Sequence, residues 1–252
     1  MWVPWLALLL AAGAIVLSLM ALRDVRELSR RAVSWADATF RQAELLRTLD
    51  MELGLARPLP ATRGWAASPD FLLILAGQIR QRRPGTVVEC SSGVSTIVAA
   101  RTLQQLGSGH VYSLEQAPEH AAKTRARLAE HGLDAWATVL DAPLIEHTLE
   151  GAAYRWYDMR TMPPASIELL VIDGPPKSTN PQARYPAGPL LFPRLAPAAI
   201  VLLDDADRRD EQAAVARWLE QFPALVYNAL ECEKGCVLLE QGGAAWMHGM
   251  SG

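Results

Sequence analysis

The chain has 252 residues, half of them hydrophobic and a fifth charged, a balance that suits one α/β domain plus an appendage and excludes an intrinsically disordered protein. A formal net charge of −3 leaves no excess of positive charge to neutralise a polyphosphate backbone, so nucleic acid is excluded as a partner. The three cysteines, Cys90, Cys232 and Cys236, are too few for a disulfide framework and point to a reducing, cytoplasmic setting.

From Trp2 to Leu22 no residue is charged, and most are Leu, Ala, Val or Ile. As a helix this run spans roughly 32 Å at about 1.5 Å per residue, the thickness of a hydrocarbon core of about 30 Å. Residues 1–22 are therefore expected to form a transmembrane helix, with Trp2 and Trp5 in the outer interface. A cleaved signal peptide would carry a basic region first. The basic residues here, Arg23, Arg26, Arg30 and Arg31, follow the span, which places the N-terminus outside and the bulk of a single-pass protein in the cytoplasm. Residues 23–56 read as a helical stalk: Val25, Leu28, Ala32, Trp35, Leu46, Leu49 and Leu53 fall on one heptad frame. That seam suits a coiled-coil homodimer, or equally a helix stripe packed on the domain it carries. Pro58 and Pro60 then break the helix, and 57–64 reads as a linker.

Residues 65–252 read as the globular domain. Ser68-Pro69-Asp70 opens a helix that Arg80 to Pro84 closes. Thr86 to Glu89 is a short strand, Cys90 to Ser95 are mostly small, and Thr96 to Leu106 reads as a helix. Such a strand, tight turn and helix aims free N–H groups at a ligand. His110 to Leu114 is the next strand and ends on Glu115, where an acid can accept both hydroxyls of a ribose. The strand at Ala137 to Leu140 is followed by Asp141, and Glu168 to Ile172 by Asp173. Acids at successive strand ends line the crevice where open α/β sheets bind ligands. A fifth strand, Ala199 to Leu203, ends at Asp204 and Asp205, and Leu225 to Glu231 with Val237 to Glu240 reads as a hairpin turning at Glu233-Lys234-Gly235. Cys232 and Cys236 flank that turn and are expected to face each other unbonded. The fold expected is α/β, Rossmann-like and doubly wound, with a mostly parallel seven-stranded sheet and a terminal antiparallel hairpin.

Val88-Glu89-Cys90-Ser91-Ser92-Gly93-Val94-Ser95-Thr96 resembles the first motif of class I SAM-dependent methyltransferases, an acidic strand end followed by a glycine-rich turn. Ser-Leu-Glu115 is similar to the second motif, Leu-Asp141-Ala to the third and Val-Ile-Asp173-Gly-Pro-Pro to the fourth. The resemblance covers about Trp65 to Glu240 and is closest to small-molecule O-methyltransferase-like branches. It departs at Ser91 and Ser95, which stand where the family has the first and third glycines of the turn. It implies S-adenosyl-L-methionine as cofactor: Glu89 for the methionine amino group, the turn of Ser91, Gly93, Ser95 and Thr96 for the carboxylate end, Glu115 for the ribose, Asp141 with Ala142 for the adenine edge, and Asp173 at the reacting end.

Methyl transfer to a hydroxyl needs alignment, a dry pocket and a way to remove a proton. Asp173, Lys177 and Asp204 are the catalytic candidates. Metal-dependent catechol-type members use an acid after the fourth strand and an Asp-Asn pair after the fifth, so Asp173, Asp204 and Asp205 are candidate Mg²⁺ ligands; alternatively the last two cap a helix and pair with Arg208 or Arg209. The segment 174–195, rich in proline, reads as an irregular lid, in which Lys177 and Arg184 suit an anionic acceptor and Tyr185 is a third candidate. His147 is a further candidate base, and Trp156 and Tyr157 candidate acceptor-binding aromatics. The expected function is a membrane-anchored SAM-dependent methyltransferase acting on a small-molecule or lipid- or glycan-linked acceptor at oxygen. Two alternatives stand beside it: a catalytically inactive methyltransferase-like domain serving as a membrane-tethered scaffold or SAM-binding module, and an NAD-dependent oxidoreductase, which lacks its Gly-x-Gly-x-x-Gly here.

Overall fold

A computed structural model describes the backbone of residues 3–163 and 165–241 and the side chains of residues 8–163 and 165–240. Trp2 and Trp5, expected in the outer interface, fall outside the described side chains. With Pro4 and Gly13 its only breakers, Val3–Leu53 forms one 51-residue helix, α1. The chain divides into two compact units, Met1–Glu44 and Leu45–Gly252.

In the first unit, the apolar side chains Leu8, Leu10, Ile15, Leu17 and Leu22 are all exposed. This helix is long and apolar enough to cross a membrane by length and composition. Val25, Leu28 and Trp35 of the expected seam are exposed as well.

The second unit begins with the last turns of α1. Leu49 and Leu53 are fully buried there against the helix α2 (Pro69–Arg82), beside Phe71, Leu72, Leu75 and Ile79. The helix ends at Leu53 rather than 56, closed by Gly54 at φ +53. Its orphan carbonyls are taken by the next helix, α3 (Val94–Leu106): Arg101 Nε donates to Leu53 O at 2.7 Å and Gln105 Nε2 to Glu52 O at 2.9 Å. The heptad frame is thus divided, its C-terminal leucines serving the domain core.

The sheet follows the expected alternation. Strands β1 (Thr86–Cys90), β2 (His110–Glu115) and β3 (Ala137–Asp141) run parallel, with α3 and α4 (Pro118–Glu130) between them. An antiparallel ribbon, β4 (Leu144–Leu149) and β5 (Ala152–Tyr157), follows. Strands β6 (Ile167–Ile172) and β7 (Leu195–Asp204) continue the parallel sheet, and after α5 (Ala187–Leu191, preceding β7) and α6 (Arg209–Gln221) the chain closes with β8 (Leu225–Leu230) and β9 (Cys236–Gln241). The order is β3-β2-β1-β6-β7-β9-β8, with β9 antiparallel to both neighbours, so the sheet is seven-stranded and mostly parallel with a terminal antiparallel hairpin, as expected. This ribbon lies outside the expected strands, and its register places His147, the further candidate base, opposite Tyr154 inside a regular hairpin. The lid also carries α5 and a 3₁₀ turn at Phe192–Arg194, where irregular chain was expected.

Alternation along β1 sends Val87 to one core layer, with the α2 and α3 side chains, and Val88 and Cys90 to the other. β2 lies on one side of β1 and β6 on the other, so the connection order reverses there, and a crevice opens beyond the carboxyl ends of these strands.

The β8–β9 turn reaches back to this end. Asp207 N donates to Lys234 O and Ala206 N to Gly235 O, each at 3.1 Å, and Glu233 N donates to Asp70 Oδ2 at 2.7 Å. Arg63 pairs with Glu233. Gly235 sits at φ +73, and a Cβ there would lie 2.7 Å from Asp207 N. Gly235→Ala is expected to cost about 1–3 kcal/mol, the usual range for forcing a side chain into such a conformation and contact, read by urea unfolding; an unchanged midpoint would show that the turn relaxes freely.

Candidate active site

The crevice is a cleft of about 420 Å³, lined by Ser91 and Ser92 after β1, Glu115 and Gln116 at β2, and Asp173 and Asp205 after β6 and β7. Lys177, Arg184, Arg208 and Lys234 line it too, with Trp65 and His120. Sequence reasoning passed over Trp65, His120 and Lys234, because no local pattern announces residues that only the sheet order brings together.

The β1 turn is built around two acids. Glu89 is buried, and its Oε2 accepts from Thr96 Oγ1 at 2.5 Å and Ser113 Oγ at 2.6 Å. Thr96 Oγ1 also accepts from Gly93 N at 3.0 Å, so one hydroxyl ties the first turn of α3 to the strand end. Burial pushes the Glu89 carboxyl above the usual carboxylate range, against the lowering effect of Ser113, Ser95 and Thr96. Its Oε1 is buried with no hydrogen-bond partner. Glu115 is pinned by Ser92 N at 3.1 Å, Ser92 Oγ at 2.9 Å and Ala117 N at 3.0 Å. A Cβ placed on Gly93 would meet nothing within 4 Å, so the turn faces open space.

Ser91 occupies the position of a glycine in more than sequence: its φ is +99. A side chain in that region is strained by order 1–3 kcal/mol, and glycine gives back part of the gain in chain entropy. Ser91→Gly is therefore expected to stabilise the fold by about 1 kcal/mol, measured as a rise in the denaturation midpoint; a fall would mean that the Ser91 hydroxyl holds something the backbone argument omits.

Asp173, Asp204 and Asp205 converge as expected, with one carboxylate oxygen from each lying within 4.8 Å of the others. Arg184 reaches into them. Its Nη2 donates to Asp173 Oδ1 at 3.0 Å and to Asp205 Oδ2 at 2.7 Å, and its Nη1 donates to Asp204 O at 2.7 Å. Arg208 Nη1 lies 2.7 Å from Asp205 Oδ2, the ion pair weighed as an alternative to metal binding. Desolvation pushes Asp173 up to about 6, offset in part by Arg184, and Asp204 up to about 7, where Asp173 and Asp205 add repulsion.

Other expected residues lie elsewhere. The Asp141 side chain is exposed and pairs with Arg125 at 2.9 Å, and neither it nor the buried Ala142 is among the residues lining the cleft; Gly93 and the buried Glu89, Ser95 and Thr96 are not among them either. Asp204 is fully buried behind the lining. Trp156 and Tyr157 are wholly buried core residues packed edge to face, not cleft aromatics. Tyr185 is buried too, beneath the Arg217 guanidinium at 3.3 Å from its ring centre, and its hydroxyl accepts from Gln221 Nε2 at 2.6 Å. Lys177 remains exposed at the cleft edge. Cys232 and Cys236 are free, as expected.

A family model described as a methyltransferase domain matches residues 88–206. No curated relative matches the sequence. Among solved structures, the O-methyltransferase from Bacillus cereus in complex with SAH superposes with a TM-score of 0.56 at 16% identity, covering 82% of this chain and 97% of that one. The O-methyltransferase from Streptomyces achromogenes involved in tomaymycin synthesis, in complex with SAM, gives 0.53 at 16% identity, covering 82% and 96%. The SAH-bound methyltransferase of Podospora anserina gives 0.52 at 12% identity, covering 78% and 87%. At these identities the likeness is one of fold.

Proposed function

We infer that the chain, whose residues 88–206 match a family model described as a methyltransferase domain, transfers a methyl group from S-adenosylmethionine to an oxygen of a small-molecule or lipid- or glycan-linked acceptor while anchored in a membrane. The observation that carries this reading is the convergence of Ser91, Ser92, Glu115 and Asp173 on one cleft at the strand carboxyl ends, in front of the α3 N-terminus. The residues fit the cofactor: behind the cleft lining, the orphan Oε1 of Glu89 would suit an ammonium, and the open space at Gly93 lets a ligand approach main chain. The solved neighbours named as O-methyltransferases support oxygen as the acceptor atom.

When bound, the cofactor would supply an electrophilic methyl group on a sulfonium. Glu115, with one of its roughly four acceptor sites left beyond its three protein donors, would accept from a ribose hydroxyl. Glu89, Ser91, Gly93, Ser95 and Thr96 would set the methionine end. For Asp141 to reach the adenine edge it would have to release Arg125, and Ala142 is buried, so Gln116 at the cleft would carry that side. Asp173 lines the cleft with a raised proton affinity, which suits it to take the acceptor's hydroxyl proton. Asp204 would act behind it, through Asp205 and Lys234, rather than on the acceptor. Lys177, at the cleft edge with no ion pair among the described residues, would favour an anionic acceptor.

The exposed apolar turns of α1 followed by Arg23, Arg26, Arg30 and Arg31 support a single-pass anchor with the catalytic unit cytoplasmic. Exposed Val25, Leu28 and Trp35 support pairing of two such helices. The full-length protein in lipid nanodiscs should bind S-adenosylmethionine in a calorimetric titration and should not bind NAD. A protein that binds neither would be the scaffold alternative, and one that binds NAD would sink the reading.

A further inference from the structure

We propose that the acid cluster of the cleft is held by cations of the chain itself, with Arg184 standing where a divalent metal ion would bridge Asp173 and Asp205, so that the site takes no metal. Three convergent carboxylates are the donor set that a hard, oxygen-seeking cation prefers. Here one nitrogen, Arg184 Nη2, already lies 3.0 Å from Asp173 Oδ1 and 2.7 Å from Asp205 Oδ2. A Mg²⁺ or Ca²⁺ ion bonding oxygens at roughly 2.0–2.6 Å would need that same space between them. The guanidinium does not vacate it easily: Nη1 is bonded to Asp204 O at 2.7 Å, Nε lies 3.6 Å from Glu211 Oε1, and the side chain is 4% exposed. Arginine also stays charged at every working pH.

The remaining buried oxygens tell the same story. Asp204 Oδ2 and Asp205 Oδ1 have no hydrogen-bond partner, and a second cation of the chain faces them. Lys234 Nζ lies 4.0 Å from each, held at the hairpin turn by a hydrogen bond to Ala66 O at 3.0 Å. Arg208 takes a second position on Asp205. Four carboxylates, counting Glu211, thus face three fixed cations brought from the lid, the start of α6 and the β8–β9 turn. A divalent ion would turn this small deficit of positive charge into an excess, in a site where like charges are poorly screened. An acceptor would accordingly need no pair of adjacent oxygens to chelate an ion.

The cation-binding readout stands whether or not the cofactor binds. Full-length protein, stripped with EDTA and held in nanodiscs, is titrated with Mg²⁺, Mn²⁺ and Ca²⁺ up to millimolar levels, following binding heat and the unfolding temperature of the soluble unit. Wild type should show no saturable heat and no shift. Arg184→Met, and Lys234→Met as the gentler variant, should gain a saturable Mn²⁺-dependent rise, because each empties a cation position beside intact carboxylates. Saturable binding by wild type, abolished in Asp205→Asn, would overturn the proposal. If wild type and both variants all ignore the ions, the guanidinium is not standing in for a metal and the proposal fails as well.

Discussion

Arg184→Met is expected to lower the stability of the domain by about 3–5 kcal/mol, the usual loss when one partner of a buried ion pair is removed and its counter-charges stay behind. Methionine keeps much of the aliphatic volume, so the loss reports charge and hydrogen bonding more than packing. Two carboxylates, Asp173 and Asp205, lose their shared donor, and the main-chain oxygen of Asp204 loses its own. The pH dependence identifies the cause. Asp173 and Asp204 have folded-state proton affinities raised above the unfolded carboxylate value, so between about pH 4 and 7 the folded protein holds more protons than the unfolded chain. Stability therefore falls as pH rises through that window. Removing Arg184 takes away an influence that lowers Asp173, so the variant should fall more steeply and over a higher range. Urea unfolding at pH 5 and pH 7.5 measures it: parallel losses at the two values would mean that Arg184 acts through packing alone.

Much of this arrangement was legible in the sequence, and what escaped did so for physical reasons. The number of strands, the mostly parallel alternation and the terminal hairpin followed from local periodicity and local turn chemistry, whereas the order of the strands in the sheet is a property of the fold alone. Glu115 and the Asp173, Asp204 and Asp205 trio were legible because the end of each strand is fixed by its own residues. The role of Arg184 was not: its partners come from β6, β7 and α6, and nothing within the lid's own sequence separates a buried arginine from a solvated one. Lys234 escaped for the same reason, as the turn residue of a hairpin that only the folded sheet carries to the cleft. Tyr157 and Trp156 misled because an aromatic pair at the end of a strand looks alike whether it faces a ligand or the core. Leu49 and Leu53 continued the heptad frame of α1 faithfully, but a stripe of that period packs on α2 as readily as on a second copy.

Glu115→Ala is expected to weaken S-adenosylmethionine binding by about 100-fold, since a hydrogen bond to a charged group contributes roughly 1.5–3 kcal/mol and each 1.4 kcal/mol is tenfold. The carboxylate has a second task, holding Ser92 N, Ser92 Oγ and Ala117 N, so alanine also frees the turn on which the cofactor would rest. Glu115→Gln separates the two tasks. It keeps one acceptor oxygen for Ser92 N and Oγ, turns its amide NH₂ toward Ala117 N, and lowers the charge available to ribose hydroxyls, and a loss near tenfold is expected. A ligand lacking the ribose 2′-hydroxyl closes the cycle: on wild type it should bind less well than the parent, whereas on Glu115→Ala the two should bind alike, because the missing hydroxyl has already lost its acceptor. Equal discrimination by wild type and Glu115→Ala would show that Glu115 only shapes the turn and that the ribose lies elsewhere.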